Sequence, residues 1–277
     1  MKLMCRLLLV SSAGFYNWLK RDQTILEEKN RVLNSLINTA FTEGRGSYGS
    51  PRVHSLLRSQ KVKCSRGTVA RRMVELGLRA KGKKKFKKTT DSSHPYQASP
   101  NLLKREFNPI LPNKAWVSDI TYVATSEGWL YLATVIDLFS RKIIGWGMSD
   151  TLHSDIALDA LKMAIKQRGC GILSELIFHS DRGVQYACKS FRNLLNVYQI
   201  KQSMSGKGNC WDNAPAESFF HTLKVEHLYG KKLLTKLETR ASIFEWIEVF
   251  YNRRRIHSTL GQVAPEEFER RFYAKVS

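Results

Sequence analysis

Two segments with the pattern of β-strands each contain a carboxylate, and this feature most constrains the fold. Residues 116–123 alternate like a half-buried strand and have Asp119 in their middle. Residues 176–183 form an apolar run that ends on Asp181, where Gly183 breaks the pattern. A carboxylate at the end of a buried strand is unfavourable unless a partner compensates its charge. We therefore expect the fold to supply such a partner.

A third carboxylate lies where a loop rich in glycine and asparagine enters a helix. Asn213 fits the N-cap, and Pro215 fits the first turn, where a missing N–H costs little. Glu217 follows in that turn, where the helix dipole favours a negative charge. At roughly 100° per residue, Glu217, His221 and Lys224 share one face. An ordinary amphipathic helix explains this stretch alone equally well.

Together the three carboxylates favour a divalent cation. Like charges held close together disfavour joint ionisation, and a metal ion removes that penalty. Magnesium prefers oxygen ligands in octahedral geometry and keeps several waters. Because no Cys/His cluster accompanies Asp119, Asp181 and Glu217, these three predicted ligands fit Mg²⁺ or Mn²⁺ better than zinc.

The chain has a basic excess that is concentrated near its N-terminus. Its 277 residues carry a formal net charge of +21. Residues 1–100 contain 21 basic and 6 acidic side chains, a net charge of +15, and residues 101–277 carry the other +6. Such an excess at one end indicates a polyanionic partner, most commonly nucleic acid. A ribosomal or merely soluble basic protein is the alternative, and the carboxylates argue against it.

Cysteine usage and hydropathy indicate a protein of the cytosol. The five cysteines are scattered, odd in number and without a C-x-x-C pair, which is typical of reduced thiols. No apolar run approaches the roughly 18–20 residues that span a membrane. Residues 1–10 are apolar but lead into polar residues without a small-residue cleavage site, so we predict no signal peptide.

The first 45 residues are predicted to be helical. Residues 1–21 have the pattern of the end of a helix-turn-helix, with a turn at residues 11–14, and residues 22–42 have that of a mixed-charge helix. A chain that begins inside such a unit leads us to expect a longer active protein.

Residues 46–80 are predicted to be a helix-turn-helix-like DNA-binding domain. Pro51 fits a helix start, Ser65 is a credible N-cap, and Gly77 would end the second helix. In a helix-turn-helix the second helix enters the major groove. Its exposed basic positions, and hence the expected DNA contacts, are Arg66, Arg71 and Arg72. A small helical domain with a solvated basic face is the alternative.

Residues 81–110 are predicted to be a basic linker. Its lysine run lacks any helical or strand period, and serine, histidine, proline and glutamine follow it. We expect Lys83, Lys84 and Lys85 to touch DNA phosphates without reading sequence. A solvated linker without contacts is the alternative.

From residue 111 onward the pattern alternates strands and helices. Three successive strands, then helices and strands in turn, indicate a mixed sheet with helices on both faces. The predicted strands are 116–124, 128–137, 141–149, 175–180 and 200–203, and later helices are predicted at 189–198 and 237–252.

Five extended segments resemble the second-frame (OrfB-type) transposases of the bacterial copy-and-paste insertion sequences. They are WVSDITYV, VIDLFSRKIIGW, HSDRGVQY, KGNCWDNAPAESFFHTLKVE and YNRRRIHSTLGQVAPEEF. The resemblance covers nearly the whole chain and is densest over residues 116–268. Asp119, Asp181 and Glu217, with 35 residues between the last two and Lys224 seven after the glutamate, are similar to the DDE triad of the retroviral-integrase superfamily.

The resemblance implies an α/β fold of the ribonuclease H-like type. This fold has a mixed five-stranded sheet with flanking helices, here preceded by a small all-α helix-turn-helix region. It implies that Asp119 lies on the first strand, Asp181 at the end of the fourth and Glu217 on a helix facing both. Residues 111–277 would form the integrase-type catalytic core with C-terminal helices.

The implied activity is that of a DNA transposase. It cleaves at the element ends and transfers the freed 3′-hydroxyl to another phosphodiester. Two Mg²⁺ ions, with Mn²⁺ as a substitute, can stabilise the attacking and leaving oxygens from about 3.5–4 Å apart. We expect Asp119 to bridge both ions, Asp181 to hold the first and Glu217 the second.

The resemblance also implies the partners. They are the terminal inverted repeats of the element and a target DNA, bound by a homo-oligomer because two ends must meet. In similar transposases a frameshift joins an upstream reading frame, so a fused or separate helix-turn-helix partner is expected. The protein would be cytoplasmic and nucleoid-associated, with no membrane partner.

Several polar residues near the carboxylates have more than one interpretation. Lys224 is expected to reach a phosphate of the element end, with a solvated or ion-paired lysine as the alternative. Asp137 is interpreted as structural and Asp212 as a helix cap. His179 is interpreted as a packed or hydrogen-bonded strand histidine, with contact to the scissile phosphate as the alternative. Further DNA contacts are weighed for Arg182, Gln185, Asn209 and Asn213. Residues 253–255 with His257 form either a phosphate-binding patch or a group that compensates a helix dipole.

Two other functions compete with transposition. A ribonuclease H-type or structure-specific nuclease could use the same carboxylates, but it does not need two DNA-reading units ahead of the core. A DNA-binding regulator or a decayed fragment is opposed by the intact carboxylates and uninterrupted core. Retroviral integrase proper is disfavoured because no His/His/Cys/Cys module is present.

Overall fold

The chain divides into two units, Met1–Ala80 and Lys81–Ser277. A computed structural model describes residues 2–20, 24–82, 98–169, 171–230 and 232–276. Within these ranges no helix combines the length and apolar character that crossing a membrane requires.

The described part of the first unit is helical. Three of its helices pack on one another and bury Ile37, Val53, Leu57 and Val69. The helices are α1 (Lys2–Leu7), α2 (Ser12–Lys20), α3 (Ile25–Glu43), α4 (Ser50–Ser59) and α5 (Arg66–Glu75), of which α3, α4 and α5 form this core.

Local sequence signals fix the ends of α4 and α5. Pro51 lies in the first turn of α4, where it removes no helical hydrogen bond. The side chain of Ser65 accepts a hydrogen bond from the N–H of Thr68 at 3.1 Å and so caps α5. Gly77 has φ +68°, a left-handed conformation that ends the helix at little cost. These three predictions are confirmed.

A mixed five-stranded sheet forms the centre of the second unit. Its strands are β1 (Ala115–Thr125), β2 (Gly128–Asp137), β3 (Lys142–Ser149), β4 (Ile177–Ser180) and β5 (Lys201–Met204). They are ordered β3-β2-β1-β4-β5, with β1, β2 and β3 antiparallel and β4 and β5 parallel to β1. The prediction of a ribonuclease H-like α/β fold is confirmed.

One face of the sheet packs against α6 (Asp155–Arg168), α7 (Val184–Ala187) and α8 (Lys189–Val197). The core on this face includes Trp116, Ala133 and Phe178. Gly145 lets α6 approach β3 closely, since a Cβ there would lie 2.1 Å from the carbonyl oxygen of Ala160. The absence of a side chain thus sets the distance between helix and sheet.

The opposite face carries α9 (Ala214–Leu223) and α10 (Lys236–Glu245). Each α-helix continues directly into a π-helical segment, Lys224–Leu228 after α9 and Trp246–Tyr251 after α10. The predicted helix 237–252 is therefore an α-helix with a π-helical end. The chain ends with α11 (Pro265–Val276).

Part of the segment predicted as a linker lies against the sheet edge. The N–H of Leu102 donates to the Oγ of Ser203 on β5 at 2.8 Å, and the N–H of Met204 donates to the carbonyl of Pro100. Residues 83–97 of that segment, with Lys83, Lys84 and Lys85, lie outside the described residues.

Candidate active site

Asp119 lies on β1, on the sheet face opposite α6. Trp116 points into the core under α6, and side chains alternate between faces along a strand. Asp119 and its cross-strand neighbour Thr134 therefore point to the other face. The Oδ1 of Asp119 accepts a hydrogen bond from the N–H of Ile120 at 2.8 Å, and the residue is half-buried.

Parallel pairing of β1 with β4 brings Asp181 beside Asp119. Val117 on β1 pairs with His179 on β4, and Asp119 and Asp181 each follow two residues after one of these paired residues. Asp181 accepts a hydrogen bond from the N–H of Gly183 at 2.9 Å. A Cβ on Gly183 would lie 3.0 Å from the same carboxylate oxygen, so glycine leaves room for this turn.

Glu217 is brought to β1 by the start of α9. The buried side chain of Asn213 donates from Nδ2 to the carbonyl of Ser118 at 3.0 Å. Glu217, exposed in the first turn of α9, follows four residues later. Asn213 occupies the N-cap position as predicted, but its side chain makes no capping hydrogen bond because it is bonded to β1 instead.

The electrostatics of Asp119 reflect this convergence. Burial raises the pKa of Asp119 well above its ordinary value, and the negative charges of Asp181 and Glu217 raise it further. Lys224 opposes this shift in the pKa of Asp119. Burial in turn lowers the pKa of the Lys224 ammonium. The charges of Asp181, Glu217 and Lys224 thus all act on Asp119.

The donor chemistry of the three side chains fits a hard divalent cation. All their donor atoms are carboxylate oxygens, and the raised pKa of Asp119 reflects a negative charge that a cation would stabilise. In the described part of the chain, no three or more His, Cys, Asp or Glu side chains are arranged closely enough to hold a metal ion. The three carboxylates thus fit a metal ion by their chemistry and by their place in the fold, but they are not arranged at the distances of bound ligands.

Asp212 holds the loop that precedes α9. Its carboxylate accepts hydrogen bonds from the N–H of Gly206 at 2.9 Å, from Asn101 at 3.1 Å and from Arg105 at 2.8 Å. Burial alone would raise the pKa of Asp212, but the hydrogen bonds from Gly206 and Arg105 and the charge of Arg105 together keep this pKa below its ordinary value. The interpretation of Asp212 as a helix cap is wrong, because all three partners precede it in the chain.

His179 is a buried, hydrogen-bonded strand histidine, as predicted. Its ring nitrogens lie 2.8 Å from the Oγ of Ser203 and 3.2 Å from the Oγ of Ser205. Burial lowers the pKa of His179 to about 4. The imidazole is therefore neutral at pH 7.

The other residues weighed as DNA contacts near the carboxylates differ in accessibility. Arg182 donates from Nε to the carbonyl of Ser205 at 2.7 Å. Gln185 is buried in α7, while Asn209 and Lys224 are partly exposed. Their contacts with DNA stay predictions.

On α5 the predicted basic face is only partly present. Arg66 and Arg71 are exposed. The side chain of Arg72 is only 20% exposed and pairs with Glu75 at 2.8 Å, so the prediction that Arg72 is an exposed position is wrong. The spacing of three residues between Arg72 and Glu75 was a signal for this pair.

Buried ion pairs account for two other residues. Asp137 at the end of β2 is paired with Arg168 at 2.8 Å, which confirms its structural interpretation. Arg255 is buried and donates two hydrogen bonds to Glu226, at 2.8 and 2.7 Å. Arg255 therefore belongs neither to a phosphate-binding patch nor to a group that compensates a helix dipole. No pattern in the sequence indicates that Glu226 is its partner.

Family models match both units. Two models described as "Integrase core domain" match residues 111–210 and 198–265, and a model described as "HTH-like domain" matches residues 27–86. Together the two integrase matches include Asp119, Asp181 and Glu217.

Similar proteins match along nearly the whole chain. The chain is 42% identical over 270 residues to the transposase InsF for insertion sequence IS3A of Escherichia coli (strain K12), with 97% of this chain and 93% of the relative covered. It is 40% identical over 270 residues to a 31 kDa protein of insertion element IS600 from Shigella sonnei, with 98% of each covered. A simian T-cell lymphotropic virus intasome has a chain that is 16% identical, at a TM-score of 0.48, with 79% of this chain and 74% of that chain covered.

Proposed function

The chain belongs to the IS3 family of transposases and is a polynucleotidyl transferase with an integrase core domain, and on this premise we propose that Asp119, Asp181 and Glu217 form its catalytic site. The observation that carries the proposal is the electrostatic convergence on Asp119. Its pKa is raised by burial and by the charges of the other two carboxylates. A fold does not gather three acidic groups for stability, since their repulsion opposes it.

The three carboxylates would hold the metal. Two Mg²⁺ ions, or Mn²⁺ in their place, would when bound stabilise negative charge on the attacking and leaving oxygens of the phosphodiester. In our proposal Asp119 would contribute to holding both ions, because the charges of both other carboxylates act on it. Asp181 and Glu217 would each hold one ion.

The proposed reaction exchanges one phosphodiester bond for another. In the first step a water oxygen bonds to phosphorus at the element end and the 3′-oxygen leaves as a hydroxyl. In the second step that 3′-hydroxyl oxygen bonds to another phosphorus and displaces its 3′-oxygen. The number of phosphodiester bonds is unchanged in the second step, so no external energy source is needed.

Lys224 is proposed to bind a phosphate of the element end. It is half-buried, and the charge of Asp119 supports its protonated form against the opposing effect of burial. A lysine ammonium in such a place can position a phosphate oxygen as a point charge. Arg182, Asn209, Gln185 and Asn213 remain proposed DNA neighbours of the same site.

The first unit is proposed to read the element ends. Its helix α5 would enter the major groove with Arg66 and Arg71 exposed toward DNA. Between residues 46–80 and the core at 111–277, Lys83, Lys84 and Lys85 of the basic segment 81–110 would contact DNA phosphates without reading sequence. Residues 1–45 would form a partial helix-turn-helix.

Transposition joins two element ends with a target, so we propose a homo-oligomer on DNA. An upstream-frame helix-turn-helix protein, fused or separate, would be a further partner. Because its substrate is the chromosome or a plasmid, the protein would act at the bacterial nucleoid in the cytoplasm.

The experiment uses DNA with the inverted repeats that flank this gene. The purified full chain is incubated with this DNA and Mg²⁺, and nicked and joined strands are measured on denaturing gels. Glu217→Gln is the test variant. Glu175→Gln is the matched control, because Glu175 is an exposed carboxylate whose side chain pairs with Lys114.

Nicking or joining that the control retains and Glu217→Gln loses would support the proposed site. Equal activity of Glu217→Gln and wild type would contradict it. If wild type binds but does not cut, the assay is repeated with the fused upstream frame. Binding without cleavage in that form too would favour a DNA-binding regulator.

A further inference from the structure

An exposed tryptophan lies next to the candidate active site. Trp211 is 69% exposed and belongs to a single 3₁₀ turn, Cys210–Asn213, directly before α9. Tryptophan has one of the largest apolar surfaces of any side chain, and much of it faces solvent here. A single exposed apolar residue is common on proteins, so the surroundings of Trp211 must carry the argument.

The turn that presents Trp211 is fixed by the two residues that follow the tryptophan. Asp212, 4% exposed, accepts hydrogen bonds from Gly206, Asn101 and Arg105. Asn213, 3% exposed, donates to the carbonyl of Ser118. The two residues after Trp211 are therefore anchored in the protein.

The same anchor connects Trp211 to the carboxylates. Asn213 is bonded to the residue directly before Asp119, and α9 continues from the turn to Glu217. The N–H of Ala214 also donates to the carbonyl of Trp211. Trp211 is thus held on the turn that positions the catalytic helix, and an indole held in advance loses little freedom when it binds.

The chemistry around the indole suits a nucleobase. Lys207 is exposed on the same loop, and Gly208 with φ +70° turns the loop without a side chain. An exposed aromatic face and a positive charge on one loop are a combination that binds single-stranded nucleic acid, because every base has a face for stacking.

We propose that Trp211 stacks on an unpaired base of the DNA strand beside the phosphate that is cut. This inference rests on the proposed function and names a substrate contact within it. A base in duplex DNA is not accessible, so the contact requires that one nucleotide leave the stack near the cleavage position. Trp211 holds that base out while the phosphate lies at Asp119.

The test compares Trp211→Ala with wild type on intact and abasic DNA. The substrate is a duplex carrying the terminal inverted repeat that flanks the gene. In a series of otherwise identical duplexes, each nucleotide near the cleavage position is replaced in turn by an abasic one. Trp211→Ala should slow cleavage of intact DNA by about 5- to 150-fold, as expected for loss of one stacked base.

On the duplex that lacks the stacked base, Trp211→Ala and wild type should cut at the same rate. Trp211→Phe should keep most of the activity because it retains an aromatic face. Trp129→Ala removes another indole, 55% exposed on β2, and should cut as wild type does. Thermal melting of each variant checks that the fold is intact.

Two results would overturn the inference alone: wild-type cleavage rates for Trp211→Ala, or an equal slowing by this variant on every abasic duplex. The second result would assign Trp211 a purely structural role in the loop. Absence of cleavage by wild-type protein, with and without the upstream frame, would instead overturn the proposed function and this inference with it.

Discussion

Removal of the Arg255 guanidinium should destabilise the second unit strongly. Arg255 and Glu226 form two parallel hydrogen bonds of 2.8 and 2.7 Å, and their side chains are only 6% and 11% exposed. Arg255→Met would leave the Glu226 carboxylate largely buried without these bonds. Loss of one partner from a buried pair costs about 3–5 kcal/mol, so we expect a loss of about 3 kcal/mol or more in the free energy of unfolding.

Urea unfolding followed by tryptophan fluorescence measures this loss. Five of the six tryptophans lie in the second unit, so the signal reports mainly on that unit. Arg255→Met/Glu226→Gln should recover much of the loss, because no unpaired charge remains buried. Arg271→Met, which removes an exposed partner of Glu267, should cost less than about 1 kcal/mol.

The reasoning about the Arg255–Glu226 pair would be refuted by either of two results. One is a loss below about 1 kcal/mol for Arg255→Met, the value of an exposed pair. The other is a double variant that is less stable than Arg255→Met. Because Glu226 follows Lys224 in the same π-helical segment, DNA cleavage should also slow in Arg255→Met.

Three further predictions concern the same unit. Burial lowers the pKa of His179 to about 4, so the neutral imidazole stabilises the fold fully above about pH 6.5. As the pH drops to 4, this histidine should lower the free energy of unfolding by about 3 kcal/mol. In urea unfolding measured against pH, His179→Gln should remove this contribution. Gly145→Ala should cost about 3 kcal/mol or more in thermal unfolding, because its Cβ would meet the backbone of α6, whereas Gly171→Ala enters open space and should melt as wild type does. Asp212→Ala removes three hydrogen bonds from the loop before α9, so it should slow cleavage while DNA affinity in filter binding stays unchanged; an affinity loss as large as the rate loss would contradict that role.

The sheet was predictable because its signals are local. The predicted strands 116–124 and 128–137 match β1 and β2 to within one residue. Asp119 and Asp181 could be expected in one place once both strands were assigned to one sheet, because strand pairing then sets which residues face each other. The helix ends at Ser65 and Gly77 were predictable for the same reason, since a cap acts within one turn of its helix.

The connections between distant segments could not be read from the sequence. Asn213 fits an N-cap by local preference, but its side chain finds Ser118, which is 95 residues away in the chain. Arg255 finds Glu226 at a distance of 29 residues. Tertiary contacts override local preference in both cases.

The hydrogen-bond partners of Asp212 and the exposure of Trp211 likewise depend on contacts between distant segments. Asp212 meets Arg105, which is 107 residues away, only after the segment before β1 has packed on β5. The exposure of Trp211 then follows from the burial of its neighbours, since a turn fixed at Asp212 and Asn213 turns the indole outward. Sequence periodicity carries no information about a one-turn helix.

The central claim, that three carboxylates act as one site, is tested most directly by their joint removal. Single-turnover cleavage of the element-end DNA is measured for Asp119→Asn, Asp181→Asn, Glu217→Gln and the triple variant. Groups that act as a unit lose their effect together, so each single variant should lose at least ~10²-fold in rate and the triple variant no more than the most impaired single one. Losses that multiply from variant to variant, or a single variant that cuts as wild type does, would contradict the account.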